Sequence, residues 1–450
     1  MISVELKSEM PSNLPAQISF AAKSCYQAKE PEMGELINIE DGLFKTGHHT
    51  TLQHAHFTFF IEGIAVSDIT LGLHLANPFY NSSQRSGRFC GQMFSNPDYE
   101  AIKQYIVTYW PELDDQKLVL AMDFIKNGIK IYQDNLGKAI AVAEQFIKED
   151  RPFANDKYIK QNAPKFAQEQ LRMFIPTIFP TAVTYTINLS ALIAMYRVAW
   201  SPALRSVTQK MADIILSYCP DIDYVFTRNE KIVAHDHFID ARRGFEVIRK
   251  PYLEEKSLGD STIFMAPRSE EMHPVDLLPF DPVFMQNNVE EIKTQIIISL
   301  ATMGQDQRHR TIRRGWPKFV KAFYLPPIPG LLNLKYEASQ VLGEWLNLLN
   351  QLPATLVHSL APYGAMITYE KSASYNAAAH ELSKRLCWCA HEEIFHLALK
   401  LRQEVIRKEG EKSPLLLMFM PTCVRSGKCG EGNRYCGRDL KKDCFIERKV

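Results

Sequence analysis

The sequence predicts a helix-rich α+β fold built from two related domains in tandem. Its 450 residues are too many for one small core and suit two domains of about 200 residues each. Helical spacings of apolar residues alternate with strand-like runs. A faint repeat supports the duplication, because Arg172-Met-Phe-Ile-Pro176 and His358-Ser-Leu-Ala-Pro362 each open a helix-rich stretch. We therefore assign residues 1–224 to a first repeat and residues 225–450 to a second.

The bulk composition is that of an ordinary soluble globular protein, with 46% hydrophobic and 23% charged residues. A formal net charge of +1 gives no global field for a polyanion, so any anion site must be local. The start MISVELKSEMPSNL lacks the features of a signal peptide, and no apolar run reaches membrane-spanning length. We expect a cytoplasmic protein with reduced cysteines, and neither a membrane nor a nucleic acid as its partner.

In the first repeat the pattern predicts a strand over residues 56–66, followed by a helix with Ser67 as its N-cap. Helical spacing covers residues 116–148, 164–174 and 181–218. In the second repeat, five prolines between Pro251 and Pro282 predict a long loop. Residues 289–303, 331–352 and 375–408 have helical spacing.

Arg308-His309-Arg310, preceded by Gln305, forms a dense group of hydrogen-bond donors. The planar guanidinium donates two parallel hydrogen bonds and therefore suits phosphate. A solvated basic turn or a nucleic-acid patch is the alternative for such a triplet taken alone.

Two further motifs lie in the first repeat. Ser86-Gly87-Arg88 can wrap a phosphate, because glycine lets the backbone N–H approach closely, although such tripeptides are common in ordinary turns. His48-His49-Thr50 precedes the strand that begins at His56, where it forms either a site-lining loop or a polar turn. Adjacent histidines rarely bind one metal ion well.

Taken together, these motifs resemble those of the flavin-dependent thymidylate synthases. The first repeat has Gly47-His48-His49-Thr50 before the aromatic strand, Ser86-Gly87-Arg88, Arg172 with Pro176, and Asn188, but reads Leu73-His74-Leu75 where the family has Arg-His-Arg. The second repeat keeps that triplet, as well as His380, Arg385 and Ala390-His391-Glu392-Glu393-Ile394. It reads Lys318-Phe319-Val320 at the Ser-x-Arg and His358 at the family arginine. What one repeat has lost, the other retains.

The resemblance implies a fused pseudo-dimer with mixed sheets and one composite site. Its implied substrate residues are Gln84, Ser86, Gly87, Arg88, Arg172, Gln305, Arg308 and Arg385, the last orienting the substrate. Its implied flavin or folate contacts are His48, Thr50, Asn188, Arg308, His309, Arg310 and His380. It implies a reaction without a protein nucleophile.

The implied reaction is reductive methylation of dUMP to dTMP. The implied cofactor is FAD, with methylenetetrahydrofolate and NADPH as co-substrates, and the implied assembly is a homodimer of pseudo-dimers. Gln84 stands where the family usually has glutamate, which points to an altered substrate or reduced activity.

Two other functions stay open. The first is methylation of another pyrimidine, in a nucleotide or in RNA, with a polynucleotide track at Arg313, Arg314, Lys318 and Lys321. The second is a non-catalytic flavin- or nucleotide-binding protein. Decay would cause random loss of motifs, whereas the observed loss is complementary.

The C-terminal tail is rich in cysteine. Cys423, Cys429, Cys436 and Cys444 could hold zinc, but their spacing is not the paired C-x-x-C of common zinc modules. We expect reduced thiols and no metal.

Overall fold

The computed structural model describes residues 1–10, 13–25, 27–46, 49–76, 80–85, 87, 91–151, 154–228, 252–254, 262–265, 291–438 and 446–450. Most of the predicted loop at 251–282 lies outside this part of the chain. The described remainder of that loop forms two short strands.

The first half folds as an antiparallel sheet with helices around it. Its strands are β1 (Ser3–Leu6), β2 (His56–Ala65), β3 (Tyr80–Gln84) and β4 (Pro180–Asn188). Its helices are α1 (Leu14–Lys23), α2 (Val66–Thr70), α3 (Gln92–Ser95), α4 (Tyr99–Tyr109), α5 (Asp115–Asp150), α6 (Asp156–Leu171), α7 (Leu189–Val198) and α8 (Pro202–Tyr218). Short 3₁₀ turns cover His49–His54, Leu73–Ala76, Arg172–Phe174 and Pro220–Val225.

The second half contains a larger sheet that includes one parallel pair, β5 with β9. Its strands are β5 (Tyr252–Glu254), β6 (Thr262–Met265), β7 (Glu291–Ser299), β8 (Arg313–Arg314), β9 (Lys318–Tyr324) and β10 (Ala365–Ser374). Its helices are α9 (Leu300–Asp306), α10 (Pro327–Leu331), α11 (Lys335–Leu348), α12 (Ala354–Ser359), α13 (Tyr375–Arg385), α14 (Glu392–Glu409), α15 (Leu415–Met418) and α16 (Thr422–Ser426). None of the described helices is long and apolar enough to cross a bilayer.

The two sheets share one strand order. The first runs β1-β2-β4-β3, and the second contains the run β6-β7-β10-β9, with every neighbouring pair in both runs antiparallel. Asn188 and Ser374 end the corresponding strands β4 and β10 and cap the helices that follow, α7 and α13. Each sheet has a register shift, one between β2 and β4 at Gly63, whose φ of +81° is accessible to glycine, and one between β10 and β9 at Ala365–Ile367.

Pro176 and Pro362, the two prolines of the faint repeat, lie against each other in an antiparallel bridge. The backbone hydrogen bonds beside them are reciprocal. The amide of Thr177 donates to the carbonyl of Ala361, and the amide of Tyr363 donates to the carbonyl of Ile175, both at 2.9 Å. Such an exchange, in which each side makes the same contact to the other, is the geometry of a twofold interface.

One continuous apolar core crosses this junction. It includes Phe57 and Ile187 from the first sheet and Phe319 and Ile367 from the second, all at most 1% exposed. The long helix α5 packs against α11 of the second half. A second apolar cluster lies under α13 and α14 and includes Trp388 and Phe395. The halves are therefore joined through buried apolar surface, which holds one half against the other.

Several sequence predictions need correction. Residues 289–303 are mainly strand β7 rather than helix, because the run Ile296-Ile297-Ile298 is β-branched and lies in the centre of a sheet. The start of the predicted helix 181–218 is likewise strand β4. Ser67 is a buried residue inside α2, whose N-cap is Ala65.

Candidate active site

A cleft lies between the two halves and is lined by residues of both. We call it the junction cleft. From the first half it is lined by Val66, Thr70, Gln84, Arg85, Gly87, Met93, Arg172 and Thr181, and from the second by Leu300, Ala301, Gly304, Gln305, Arg308 and Tyr363. It holds about 550 Å³ of empty space, a volume that includes open solvent.

The last residue of β3, Gln84, and the segment after it, at Gly87, line the cleft. Gln84 pairs with Val183 of β4 at the end of the sheet. The side-chain amide of Gln168 on α6 donates to the carbonyl of Gly87 at 2.7 Å. At Gly91 the same glutamine lies so close that an added Cβ would come within 2.0 Å of it. Gln168 therefore holds this segment against α6.

Arg172 connects the two halves inside the cleft. It begins the short turn after α6 and is only 5% exposed. Its guanidinium lies 4.8 Å from the ring centroid of Tyr363, a residue of the second half. A Cβ added at Gly87 would lie 3.5 Å from Nη1 of Arg172, so this cation lies directly beside the glycine segment. A buried guanidinium at the wall of a cleft is well suited to a phosphate or carboxylate.

The second half supplies Gln305 and Arg308 from the C-terminal end of α9. Gln305 is 6% exposed, whereas Arg308 is exposed. Arg385 of α13 donates to the backbone carbonyl of Gln305. The amide of Arg308 donates to the same carbonyl at 3.4 Å, so the three residues are neighbours.

The start of α9 is fixed by a buried carboxylate. Glu393 accepts hydrogen bonds from the amide of Ser299 at 2.8 Å, from the Ser299 hydroxyl at 2.5 Å and from the Thr302 hydroxyl at 2.6 Å. Burial raises the pKa of Glu393 to about 7 despite these donors. The glutamate of the late motif therefore orients the helix that carries Gln305.

A buried charge network holds the segment after α9. Asp306 is fully buried and accepts from Arg314 Nε at 2.5 Å, from Lys371 Nζ at 2.7 Å and from the Tyr369 hydroxyl at 2.7 Å. Burial alone would raise the pKa of Asp306, but the charges of Arg314 and Lys371 hold it well below its ordinary range. Arg314 also donates to the carbonyl of His309 at 2.9 Å. This network fixes the backbone on either side of Arg308.

His309 points into the protein. It is 5% exposed, and neither ring nitrogen has a hydrogen-bond partner within the described chain. Its ring lies 5.5 Å from that of His380 in an edge-to-face arrangement. Burial, followed by the nearby charge of Arg385, holds the pKa of His309 well below its ordinary range. The imidazole is therefore neutral at physiological pH. Its two ring nitrogens are buried polar atoms that make no hydrogen bond within the described chain.

Arg310 contacts the first half at a second cleft, which is lined by His74, Leu75, Tyr80, Met303, Gln307, Arg314, Gly315, Trp316 and Tyr369. Its Nη2 donates to the carbonyl and hydroxyl oxygens of Ser82, each at 2.9 Å, and its guanidinium lies 5.1 Å from the Tyr80 centroid. His74 occupies the position of the lost triplet and stacks on Tyr80 at 5.2 Å. Burial and the charge of Arg310 lower the pKa of His74 to about 3.

The structure brings part of the predicted site together. Gln84, Gly87, Arg172, Gln305 and Arg308 line the junction cleft, and Arg385 contacts Gln305. Thr50 and Asn188 are not among the lining residues of either cleft, and the side-chain oxygen of Asn188 accepts from Ala191 as the cap of α7. The remaining predicted residues, His48, Ser86 and Arg88, lie outside the described part of the chain.

Sequence reasoning missed Asp306, Lys371 and Gln307. Gln307 joins the halves, because its side-chain amide donates to the carbonyl of Thr70 at 2.9 Å. A signal was present for Asp306, which lies inside the motif between Gln305 and Arg308. No local pattern pointed to Lys371, which reaches Asp306 from a distant strand.

The sequence predicts no metal, with zinc at the tail cysteines as the alternative. Of those cysteines, Cys444 lies outside the described residues. Among the described residues, the one group of three potential metal ligands whose atoms lie within 4.8 Å of one another is Cys387, Cys389 and Glu431, rather than a set from Cys423, Cys429 and Cys436.

Comparison with known proteins agrees with the motifs. Residues 6–221 match the family described as thymidylate synthase complementing protein. The match confirms the resemblance that the motifs indicate. No curated protein matches the chain.

Solved structures similar to the chain include a flavin-dependent thymidylate synthase from Helicobacter pylori complexed with FAD and dUMP. It is 16% identical, with a TM-score of 0.34, and covers 50% of this chain and 97% of its own. A second structure from the same organism, also with FAD and dUMP, is 16% identical with a TM-score of 0.33 and covers 52% of this chain and 100% of its own.

Proposed function

We propose that the chain is a flavin-dependent thymidylate synthase made of two fused repeats, 1–224 and 225–450, with one composite site at the junction cleft. The reaction would be methylation of dUMP to dTMP, with methylenetetrahydrofolate as the carbon donor and NADPH as the reductant. One observation carries the proposal: residues of both halves, including Arg172 and Arg308, line a single cleft. The family match of residues 6–221 supports the reaction class.

The shared strand order and the reciprocal bridge at Pro176 and Pro362 support the tandem arrangement. A homodimer whose two chains become fused keeps its twofold interface. Once one chain carries both copies, each copy can lose the parts that the other supplies. This accounts for complementary loss of motifs.

In the proposed site, Arg172 binds the nucleotide monophosphate from the first half. The glycine segment at Gly87 offers backbone approach next to this cation, and Ser86 and Arg88 belong to the same segment by the resemblance. Gln305 and Arg308 approach from the second half, with Arg385 orienting the substrate and fixing the backbone of Gln305. The nucleotide monophosphate brings nearly two negative charges. The cations of this cleft would offset them locally, although the net charge of the whole chain is only +1.

FAD suits the donors next to this cleft. Arg308 is exposed at the cleft, and His309 and Arg310 retain buried ring and guanidinium nitrogens without a described partner. We assign flavin binding to Arg308, His309 and Arg310, with His380 beside His309. When bound, the flavin supplies hydride to the methyl group. The protein contributes binding, orientation and exclusion of water.

Gln84 lines the cleft as a neutral side chain. Where the family has glutamate, glutamine removes a negative charge beside the substrate but can both donate and accept hydrogen bonds. A changed pyrimidine preference is the consequence to test, with cytosine and uracil nucleotides compared at equal concentration.

One of the four residues suggested as a polynucleotide track is buried in the structure. Arg314 forms an ion pair with Asp306 inside the protein, so it cannot contact an RNA backbone. Arg313 is exposed but forms an ion pair with Glu291. The surface beyond the triplet is therefore a poorer track than the sequence predicts.

The experiment is to purify the full chain, add FAD, and record the flavin absorbance while dUMP is added. Turnover is then measured with methylenetetrahydrofolate and NADPH by release of dTMP. The proposal predicts a flavin spectrum that dUMP perturbs, and dTMP formation that needs both co-substrates. Flavin binding without any response to pyrimidine nucleotides would favour the non-catalytic alternative.

A further inference from the structure

A group of thiols lies away from both clefts, at the C-terminal end of α13. Cys387 and Cys389 flank Trp388 there, and the turn at Gly432–Arg434 brings Glu431 beside them. The two sulfurs and a carboxylate oxygen of Glu431 lie within 4.8 Å of one another. All three residues are partly buried, and neither thiol is in a disulfide bond. Two sulfurs and one carboxylate at such distances suit a tetrahedral cation.

The polar contacts around the group hold its members in place. The Cys389 thiol donates to the carbonyl of Arg434 at 3.1 Å, and the guanidinium of Arg434 binds Glu431 at 2.7 Å. The amide of Glu431 donates to the sulfur of Cys429 at 3.5 Å. This contact places the Cys429 sulfur beside the backbone of Glu431.

More thiols surround this group. Cys423 lies close enough to Cys387, Cys429 and Cys436 for their charges to interact. Five cysteines thus share one small region, where ionising several would bring like charges together. A divalent cation removes that repulsion.

The surroundings also suit a site with net negative charge. Arg438 lies 4.1 Å from the Trp388 centroid, and Arg151 and Arg448 each lie 5.6 Å from it. Arg151 and Arg448 donate to the carbonyl of Trp388 at 2.7 and 2.9 Å. Three thiolates and one carboxylate around a divalent ion carry two excess negative charges, which nearby guanidiniums offset.

We propose that Cys387, Cys389 and Glu431 bind a zinc ion, with Cys429 as the fourth ligand. Each bound thiol releases its proton to solvent, and zinc undergoes no change in oxidation state. The ion would tie the C-terminal tail to the end of α13, the helix that carries Arg385. Its role is structural, because four protein ligands leave no open position for a substrate.

The test starts from the full chain purified without chelator. Metal content is measured by mass spectrometry, and about one zinc per chain is expected. Cys387→Ser and Cys389→Ser should each lose the ion. Cys25→Ser, which changes an exposed cysteine outside the group, is the matched control and should keep it.

A second measurement covers variants that fold poorly. After the wild-type chain is stripped of metal, cobalt(II) is added and the sulfur-to-cobalt charge-transfer absorption is followed. We expect this absorption to saturate at one equivalent, and Glu431→Gln to weaken cobalt binding by about 10–100-fold. Absence of metal and of the absorption overturns the proposal, as does zinc retained by both cysteine variants. A Cys387–Cys389 disulfide found in the purified chain would overturn it as well.

Discussion

Pro176 and Pro362 face each other in an antiparallel bridge, each in the same position of its own half. Neither proline has an amide hydrogen to donate, so the adjoining residues make the exchange, Thr177 to Ala361 and Tyr363 to Ile175. Four residues before Pro176 lies Arg172, and one residue after Pro362 lies Tyr363, whose ring receives the Arg172 guanidinium. The bridge between the two halves therefore also positions the wall of the junction cleft.

The first prediction concerns Arg172→Ala. Removal of the buried guanidinium proposed to bind the phosphate should weaken dUMP binding by roughly 2–5 kcal/mol, a loss of about thirtyfold or more. FAD binding should survive, because the triplet proposed to bind it lies in the other half. Calorimetric titration with dUMP measures the loss. Arg407→Ala, which removes an exposed surface cation, is the control and should bind dUMP normally.

The second prediction separates the cofactor from the substrate. Arg308→Ala should release FAD on gel filtration, because it removes an exposed donor of the triplet next to a neutral His309. The yellow fraction should travel with the protein in wild type and in Arg172→Ala, but apart from it in Arg308→Ala. Retention of a full complement of FAD by Arg308→Ala would contradict the assignment of the triplet.

The third prediction concerns the charge network under the triplet. Asp306→Asn leaves Arg314 buried without its carboxylate and leaves Lys371 paired with Glu381 alone, which should lower the free energy of unfolding by about 3–5 kcal/mol. Urea denaturation followed by tryptophan fluorescence measures the change. Glu404→Gln breaks an exposed ion pair with Arg407 and should have little effect. Equal losses in the two variants would show that the buried network has no special role.

The fourth prediction is a dependence of stability on pH. The pKa of Glu393 rises from an ordinary 4.5 to about 7 in the folded protein, so the folded state binds the proton more tightly than the unfolded state. Its contribution to stability is therefore complete below about pH 4.5 and is lost as the pH rises to about 7. At about 1.4 kcal/mol per pKa unit, the loss is on the order of 3 kcal/mol. Glu393→Gln should remove this part of the dependence in urea denaturation between those pH values. A slope identical to that of wild type would show that Glu393 does not titrate there.

The sequence predicted elements well where the pattern was long or the chemistry local. The helical spacing at 116–148 is helix α5, and the aromatic run from His56 is strand β2. The sequence-based prediction was wrong at Ile296-Ile297-Ile298, where it gave a helix and the structure has a strand. A short apolar run does not distinguish a central strand from a buried helix. Ser67 failed as a cap for a different reason: the preceding strand runs directly into α2.

In the candidate site, too, residues within local motifs could be predicted, whereas contacts from distant positions could not. Gln305 and Arg308 could be found from their own motif, and Gln84 and Arg172 from the motifs of the first half. That all four line one cleft could be predicted only as a consequence of family resemblance. The partners that fix them, such as Lys371 under Asp306 and Glu393 under Ser299, come from distant positions and leave no local signature.

Nucleotide stoichiometry tests the central claim, one composite site per chain, most directly. The FAD-loaded chain is titrated with dUMP by calorimetry, with chain concentration determined by amino-acid analysis. The account predicts one dUMP per chain in wild type, with binding weakened by Arg172→Ala in the first half and by Arg385→Ala in the second. Two equivalent sites per chain, or binding that depends on one half alone, would contradict it.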